Sequence, residues 1–286
     1  MRIHRFLMIV TALGLAAAAG SASAQPQTSR VNPRNDLSTM TREPFKVFDN
    51  LYFVGQGEVA SYVITTSEGH ILIDTMWDLP GYLEYLLNNI RKVGLRPVDI
   101  RYVLILQGHR DHYMGAVALK DVLDVQWGAA AADWELIERD LGEYAPPRDI
   151  VIEEGDTLTL GDLTIRFEIT PGHTPGTVSM RLPVYDNGTR HNAYFHGGTA
   201  LRLDDPAIIR EFIADSERIK GLAQSGDIDV QIVNHYDITP YGAPTLFERA
   251  ELLQERRPGE PHPWVRPGEI VRLMDELIAD ARSRLP

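Results

Sequence analysis

The stretch Leu104–Gly115 reads Leu-Ile-Leu-Gln-Gly-His-Arg-Asp-His-Tyr-Met-Gly and joins an apolar run to a dense group of polar side chains. The apolar run, residues 102–106, predicts a buried strand. Four side chains with oxygen or nitrogen donors follow it at once: Gln107, His109, Asp111 and His112. Imidazoles and a carboxylate are ligands that a zinc-type ion prefers. The stretch therefore indicates a metal site, although a polar loop that caps a buried strand would have the same composition.

Two more histidines follow predicted strands elsewhere in the chain. His173 lies between two Pro-Gly turns in Thr170–Gly176, and His235 follows the apolar run Ile228–Val233. Strand ends on one edge of a sandwich face a common cleft, so we expect these segments to converge. One histidine at a strand end is usually structural. Four histidines at three such ends, with Asp111 beside two of them, are hard to explain by packing.

The order of the predicted elements favours an α/β fold made of two similar halves. Apolar and alternating runs predict strands, and apolar positions spaced by three or four residues predict helices. The strand predictions fall at 47–54, 60–65, 70–73, 100–106, 124–127, 150–167, 178–182, 193–195 and 228–233. The helix predictions fall at 79–93, 115–123, 130–141, 206–223 and 267–285. This order indicates two β-sheets packed face to face with helices on both outer faces.

Residues 1–24 have the pattern of a secretory signal peptide. Arg2 and Arg5 precede an apolar run that is too short for a membrane anchor, and Ala22-Ser23-Ala24 matches a cleavage site. We expect cleavage after Ala24 and a periplasmic or secreted protein. Residues 25–43 are rich in Pro, Ser and Asn and predict a flexible arm. One domain is expected over residues 44–286.

Composition limits the chemistry and the partners. The chain has no cysteine, so it has neither a disulfide nor a thiolate ligand, and a metal must be bound by His, Asp, Glu, Asn or Gln. The net charge is -12, and loss of Arg2 and Arg5 with the leader takes it to -14. With no basic patch in the sequence, we expect neither nucleic acid nor a membrane surface as partner. The expected partner is a small-molecule substrate, and the oligomeric state is left open.

Several motifs together resemble those of the metallo-β-lactamase superfamily. Residues 107–112 are similar to its His-x-His-x-Asp-His signature, Thr170–Gly176 to its second metal-binding loop and Asn234-His235 to its last. The strand that ends in Asp74 fits an early strand of the family, and the match runs from about Phe45 to His235. The Gly-His-Thr-Pro-Gly form, the absent cysteine and the leader are most like subclass B3. The resemblance implies a four-layer αβ/βα sandwich.

The resemblance also implies a function and a set of ligands. Gln107, His109 and His173 would bind one zinc ion, and Asp111, His112 and His235 a second. Zinc lowers the pKa of a bound water to near 7, and the resulting hydroxide would attack the amide carbonyl of a β-lactam. Asp111 would be the catalytic residue that orients this hydroxide and relays its proton. The implied protein is an exported B3-like β-lactamase that would give antibiotic resistance.

Three departures from the family pattern leave the substrate and the metal count open. Gln107 replaces the first histidine of the signature, as in some B3 enzymes, and its weaker amide donor predicts a weaker or partly empty first site. His196 stands where the family often has Asp or Ser, and is an additional ligand, a substrate contact or a hydrogen-bonded neighbour. The segment 236–263 has no counterpart in the pattern. Alternative functions are a lactone, ester or phosphoester hydrolase, or a non-catalytic metal-binding protein.

Four further side chains are candidates for supporting roles. Asp74 ends its strand beside the predicted metal loop, and we expect its carboxylate to hydrogen-bond the backbone of that loop. Trp77, Tyr113 and Tyr236 follow or lie within the same loops. Each of the three aromatic side chains is a candidate either for the pocket wall or for core packing.

Overall fold

Two β-sheets lie face to face with helices on both outer faces, as the sequence predicts. The computed structural model of the protein describes residues 36–286. The predicted signal peptide 1–24 and its cleavage site lie outside the described residues. Within residues 36–286, no helix is long and apolar enough to cross a membrane.

The first sheet has seven strands in chain order, β1 to β7. They are β1 (Phe45–Phe48), β2 (Leu51–Phe53), β3 (Tyr62–Thr66), β4 (Gly69–Ile73), β5 (Ile100–Leu104), β6 (Gln126–Ala130) and β7 (Ile150–Ile152). Pairing is antiparallel from β1 to β4 and parallel from β4 to β7. The parallel strands therefore all direct their carboxyl ends to one edge, where the loop after β5 begins.

The second sheet has five strands in the order β12-β11-β10-β9-β8. They are β8 (Thr157–Leu160), β9 (Leu163–Ile169), β10 (Val178–Asp186), β11 (Thr189–His196) and β12 (Val230–Val233). Only β11 and β12 are parallel, in the register Phe195 to Ile232. The loops after β9, β11 and β12 supply Thr170–Gly176, Gly197–Ala200 and Asn234-His235.

Eight α-helices fall within the described residues. They are α1 (Leu37–Met40), α2 (Tyr82–Lys92), α3 (Arg110–Tyr113), α4 (Ala116–Leu119), α5 (Ala131–Leu141), α6 (Pro206–Ser225), α7 (Leu246–Glu255) and α8 (Pro267–Ser283). The helix predicted at 115–123 is shorter than expected. Helix α7 was not predicted, although Thr245 and Glu248 form a capping box at its start.

Three layers of buried side chains connect these elements. The central core lies between the sheets and includes Tyr62, Ile73 and Phe195. Intervening residues of the same strands, such as Val63 and Leu72, pack against the helices outside the first sheet. Burial on both faces explains why β3, β4 and β5 read as continuous apolar runs. Smaller clusters join the second sheet to α6 and α8.

Residues 36–43 lie in the predicted arm 25–43 and are packed against the domain. Asp36 caps α1, and Met40 is buried. Arg42 N–H donates to the Tyr85 hydroxyl at 2.9 Å, and Glu43 pairs with Lys92 at 2.8 Å. The packed part of the chain therefore begins before residue 44.

His262 belongs to the segment 236–263 and is a buried part of the fold. Its ring stacks on Phe48 with centroids 4.1 Å apart, and Nε2 donates to the Val47 carbonyl at 2.9 Å. Nδ1 accepts from Trp264 N–H at 3.3 Å. Burial lowers the pKa of His262 to about 4, so the ring is neutral in the folded protein at pH 7.

This burial predicts acid sensitivity. Below its ordinary pKa of 6.5 the imidazole binds a proton in the unfolded chain but not in the folded one. The free energy of unfolding should therefore fall by up to about 3 kcal/mol as the pH drops from 6.5 to about 4. Urea denaturation at pH 7 and pH 4.5 measures this loss. His262→Gln should lose less between the two pH values, and equal losses would contradict the assignment.

Candidate metal centre

The three predicted segments meet at one edge of the sandwich. The His109 and His173 rings lie 4.8 Å apart, centre to centre, and the His112 and His235 rings 5.1 Å apart. Backbone contacts fix this arrangement, because Val178 N–H donates to the Leu106 carbonyl at 2.8 Å. Residue 59 also forms a β-bridge with His235. Both pairs of rings thus lie at the same edge of the sandwich, where Gln107 contacts one ring of each pair.

Asp111, His112 and His235 form a compact group of donor atoms. Nε2 of His112 lies 3.2 Å from Nε2 of His235. Asp111 Oδ2 lies 3.5 Å from the first of these nitrogens and 3.6 Å from the second. The three side chains offer ligand atoms within 4.8 Å of one another. Two imidazole nitrogens and a carboxylate oxygen at this spacing suit a zinc-type cation.

Each of three histidines is oriented by a hydrogen bond at its other ring nitrogen. His112 Nδ1 donates to Asp74 Oδ2 at 2.7 Å, and His235 Nδ1 donates to the Glu58 carbonyl at 3.0 Å. His173 Nδ1 donates to the Ala200 carbonyl at 2.6 Å. A proton held at Nδ1 leaves the Nε2 lone pair available, which is the arrangement found for metal-ligating histidines.

Asp74 is placed to support the metal loop. It is buried with φ at 56°, and its Oδ1 accepts from Leu106 N–H at 2.8 Å. Its other oxygen holds His112, and the Ser61 hydroxyl donates to its backbone carbonyl at 2.9 Å. One carboxylate thereby fixes both the end of the β5 strand and the ring orientation of His112.

Gln107 lies between the two pairs of histidines. The amide is buried, with Oε1 2.6 Å from His109 Nδ1 and Nε2 2.7 Å from His112 Nε2. With His109 and His173 it forms a second donor set of one amide and two imidazoles. The amide is the weakest donor in that set because its oxygen binds zinc less strongly than an imidazole nitrogen does.

Burial and neighbouring charges set the protonation of the site. Burial lowers the pKa of His173 to about 3 and also lowers the pKa values of His109 and His235. These rings are therefore neutral at pH 7, the state that a metal requires. Burial acts against ionisation of Asp111, yet His112 holds the pKa of this carboxyl well below its usual range. Burial opposes protonation of His112 as well, but Asp74 and Asp111 raise its pKa to about 10, so a metal that binds at Nε2 must displace a proton from that nitrogen.

The other predicted site residues lie around this centre rather than in it. His196 is buried beside Tyr194, with ring centroids 5.9 Å apart, and its Nδ1 accepts from Gly198 N–H at 3.3 Å. It is not part of the Asp111, His112 and His235 group. Tyr113 is buried among helix-side core residues and its hydroxyl donates to Asp140 at 2.7 Å. Tyr113 therefore packs in the core between the first sheet and its helices.

The two remaining aromatic candidates differ in exposure. Tyr236 directly follows His235, is 37% exposed and stacks on Phe247 with centroids 5.9 Å apart. Trp77 is half-buried, and its carbonyl accepts from Gln56 Nε2 at 3.4 Å. Tyr236 is the better placed of the three to meet a substrate because it combines an exposed ring with a position next to a donor histidine.

One residue at the site was missed by the sequence analysis. Asp133, in the first turn of α5, is buried, and its carboxylate accepts from the Thr174 hydroxyl at 2.6 Å and from Gly176 N–H at 2.9 Å. It thus holds the loop that carries His173. An acidic residue at a helix start is common, so nothing in the local sequence marks this role.

Comparisons with known proteins agree with this geometry. The family model of the metallo-beta-lactamase superfamily matches residues 54–186. Among solved structures, BJP-1, a subclass B3 metallo-beta-lactamase of Bradyrhizobium japonicum, is 30% identical with a TM-score of 0.72. That similarity covers 87% of this chain and 96% of BJP-1.

Two curated relatives are similar over shorter stretches. A hydroxyacylglutathione hydrolase of Mesorhizobium japonicum is 35% identical over 98 residues, which is 34% of this chain and 34% of that protein. A probable metallo-hydrolase of Bacillus subtilis is 26% identical over 156 residues, covering 51% of this chain and 70% of the relative. The chain therefore spans about a third of the length of the first of these relatives.

Proposed function

Because this chain belongs to the metallo-beta-lactamase superfamily, we propose that it is an exported zinc-dependent hydrolase that opens the amide bond of a β-lactam ring. The observation that carries the proposal is the convergence of Asp111 Oδ2 with the Nε2 atoms of His112 and His235. The choice of a β-lactam is supported by the likeness to BJP-1 over nearly the whole length of both chains.

The cluster fits a zinc-type ion by its donor chemistry, and such an ion supplies a Lewis acid and a water of lowered pKa. Asp111, His112 and His235 would hold the ion. The other Asp111 carboxylate oxygen, Oδ1, would orient the attacking water, accept its proton and return it to the departing amide nitrogen. Asp74 and the Glu58 carbonyl keep His112 and His235 in the required tautomer.

The proposal includes one strongly bound ion and one weakly bound ion. The strong position has a charged oxygen donor and two oriented imidazoles. The weak position, formed by Gln107, His109 and His173, has no charged donor. We therefore expect about one zinc ion per chain after dialysis and a second only in excess zinc.

Gln107→His should raise the zinc content after dialysis towards two ions per chain. Imidazole replaces the amide at the point where Gln107 now contacts His109, so the weak position gains a stronger donor. Elemental analysis of dialysed protein measures the change. Gln126→His, on an exposed strand end away from the cleft, is the matched control and should leave the zinc content unchanged. An unchanged content in Gln107→His would mean that this side chain is not a ligand.

Turnover of a chromogenic cephalosporin by the zinc-loaded protein tests the substrate. The panel should contain a hydroxyacylglutathione thioester, an acyl-homoserine lactone and a phosphodiester. The thioester represents the second candidate function, which the similarity to a hydroxyacylglutathione hydrolase favours. The proposal expects the highest kcat/KM for the cephalosporin. A higher value for another substrate would leave the assignment as a metallo-hydrolase unchanged. It would show that a β-lactam is not the preferred substrate.

Export is the remaining part of the proposal. Its support is the charged, apolar and small-residue pattern of residues 1–24. Mass spectrometry of the protein from a periplasmic fraction should find a chain that begins at Gln25. A full-length chain confined to the cytoplasm would contradict this part without affecting the chemistry.

A further inference from the structure

Asp133 connects two loops that are far apart in sequence and adjacent at the metal centre. Its Oδ2 accepts from the Thr174 hydroxyl at 2.6 Å and its Oδ1 from Gly176 N–H at 2.9 Å. The backbone of Gly108 is a third hydrogen-bond partner of the same carboxylate. One loop carries Gln107 and His109 beside Gly108. The other carries His173 beside Thr174.

Glycines allow both loops to reach this carboxylate. A Cβ atom at Gly108 would lie 3.1 Å from Asp133 Cγ and 2.7 Å from the Leu136 side chain. A Cβ atom at Gly176 would lie 2.9 Å from Asp133 Cγ and 2.8 Å from its backbone nitrogen. Cβ atoms essentially never show contacts below 3.0 Å, and a contact of 3.1 Å is tighter than nine in ten of those observed. The sequence therefore has residues without a side chain at the two points where the loops touch Asp133.

Because Asp133 is buried, its carboxylate must keep these hydrogen bonds. A buried carboxylate requires its hydrogen-bond donors, because an unpaired buried charge costs far more than the bonds contribute. The donors come from three residues on two loops and leave little freedom in the separation of the loops. The rings of His109 and His173 lie 4.8 Å apart, and no direct hydrogen bond between the two rings sets that distance.

We propose that Asp133 is a positioning residue that fixes the distance between the Gln107–His109 loop and the His173 loop, and so sets the affinity of the weaker metal position. The proposal rests on the metal assignment made above. It assigns Asp133 no contact with the metal or the substrate. Asp74 has the corresponding task at the stronger position, where it holds His112.

Zinc binding by Asp133→Ala and Asp133→Asn tests the proposal. Loss of a side chain that orients metal ligands typically weakens metal affinity by about 10–100-fold. We expect the dissociation constant of the weaker zinc ion to rise about tenfold or more in Asp133→Ala, with the stronger ion retained. Asp133→Asn keeps one acceptor oxygen and should give a smaller rise. Competition with a chromophoric chelator measures both ions separately without reference to activity.

Glu135→Gln, exposed on the same helix, is the matched control and should bind both ions like the wild type. If Asp133→Ala does not fold, Thr174→Val removes one of the three donors at similar volume and should weaken the same ion. Equal affinities for the weaker ion in wild type, Asp133→Asn and Thr174→Val would overturn the proposal. So would an equal loss of both ions, which indicates a general structural role.

The same titration separates this inference from the proposed function. A wild type that binds no zinc at either position would refute the metal assignment itself. A wild type that binds one ion and never a second would overturn only the role of Asp133, since no weaker position would then exist. A wild type with two ions of unequal affinity, together with a selective loss in the variants, supports both.

Discussion

Asp111→Asn is expected to lower kcat by about 10²–10⁴-fold, the usual contribution of a general base or acid. The carboxylate is the only charged oxygen within the group it forms with His112 and His235. An amide at this position keeps the shape of the side chain but accepts no proton and binds a cation less well. Steady-state kinetics with the best substrate of the panel, at saturating zinc, measures the loss.

Two control measurements accompany this prediction. Circular dichroism and thermal denaturation should show that Asp111→Asn keeps the fold, because the side chain is partly exposed and holds no backbone group of another element. Asp121→Asn, an exposed position outside the cleft, should retain full activity. If Asp111→Asn turned over substrate at the wild-type rate, the mechanism would be wrong even if zinc were bound.

Asp74→Ala is expected to destabilise the metal-free protein by about 3–5 kcal/mol, the cost of breaking a buried charged pair. The substitution leaves Leu106 N–H and His112 Nδ1 without their acceptor in a fully buried site. It also places alanine at φ 56°, a left-handed conformation that Asp and Asn tolerate better. Urea denaturation in the presence of a chelator measures the loss.

Asp74→Asn separates stability from metal binding. The amide oxygen can still accept from Leu106 N–H, so Asp74→Asn should lose less stability than Asp74→Ala, although the charge opposite His112 is gone. The amide nitrogen would face His112 Nδ1 as a donor, and the ring would then carry its proton at Nε2, where the lone pair for the metal is needed. We expect zinc affinity to fall by about 10–100-fold, with a smaller loss of stability than in Asp74→Ala. Wild-type affinity in this variant would refute the tautomer argument.

Much of the architecture could be predicted from local sequence. The order of the predicted strands and helices, apart from the missing α7, is confirmed, as are the sandwich and the superfamily. The convergence of the three histidine-bearing segments follows from strand ends that share one edge. The metal-binding roles of these residues stay predictions.

What local sequence did not supply are the contacts between distant segments. Asp133 has no periodic or motif signal, because its partners Gly108 and Gly176 become neighbours only when both sheets are assembled. Helix α7 follows a segment rich in turn residues. The capping box that begins at Thr245 is the sequence pattern that could have predicted this helix. Residues 36–43 pack against α2, and this contact between distant segments could not be predicted from local sequence either.

For His196, the alternation of side chains along β11 could have reduced the three predicted roles to one. Ala193 and Phe195 face the central core, whereas Tyr194 packs with residues of α6 and α8. Residue 196 shares the parity of Tyr194, and its ring lies near that tyrosine. Alternation along β11 therefore favours the hydrogen-bonded neighbour among the three roles considered for His196.

Zinc-edge anomalous diffraction from crystals of the zinc-loaded protein tests the central claim most directly. The account predicts an anomalous peak at about 2.0–2.2 Å from Asp111 Oδ2, His112 Nε2 and His235 Nε2. A weaker peak is predicted beside Gln107, His109 and His173. If crystals at saturating zinc showed no anomalous peak at the Asp111, His112 and His235 cluster, the account would be contradicted.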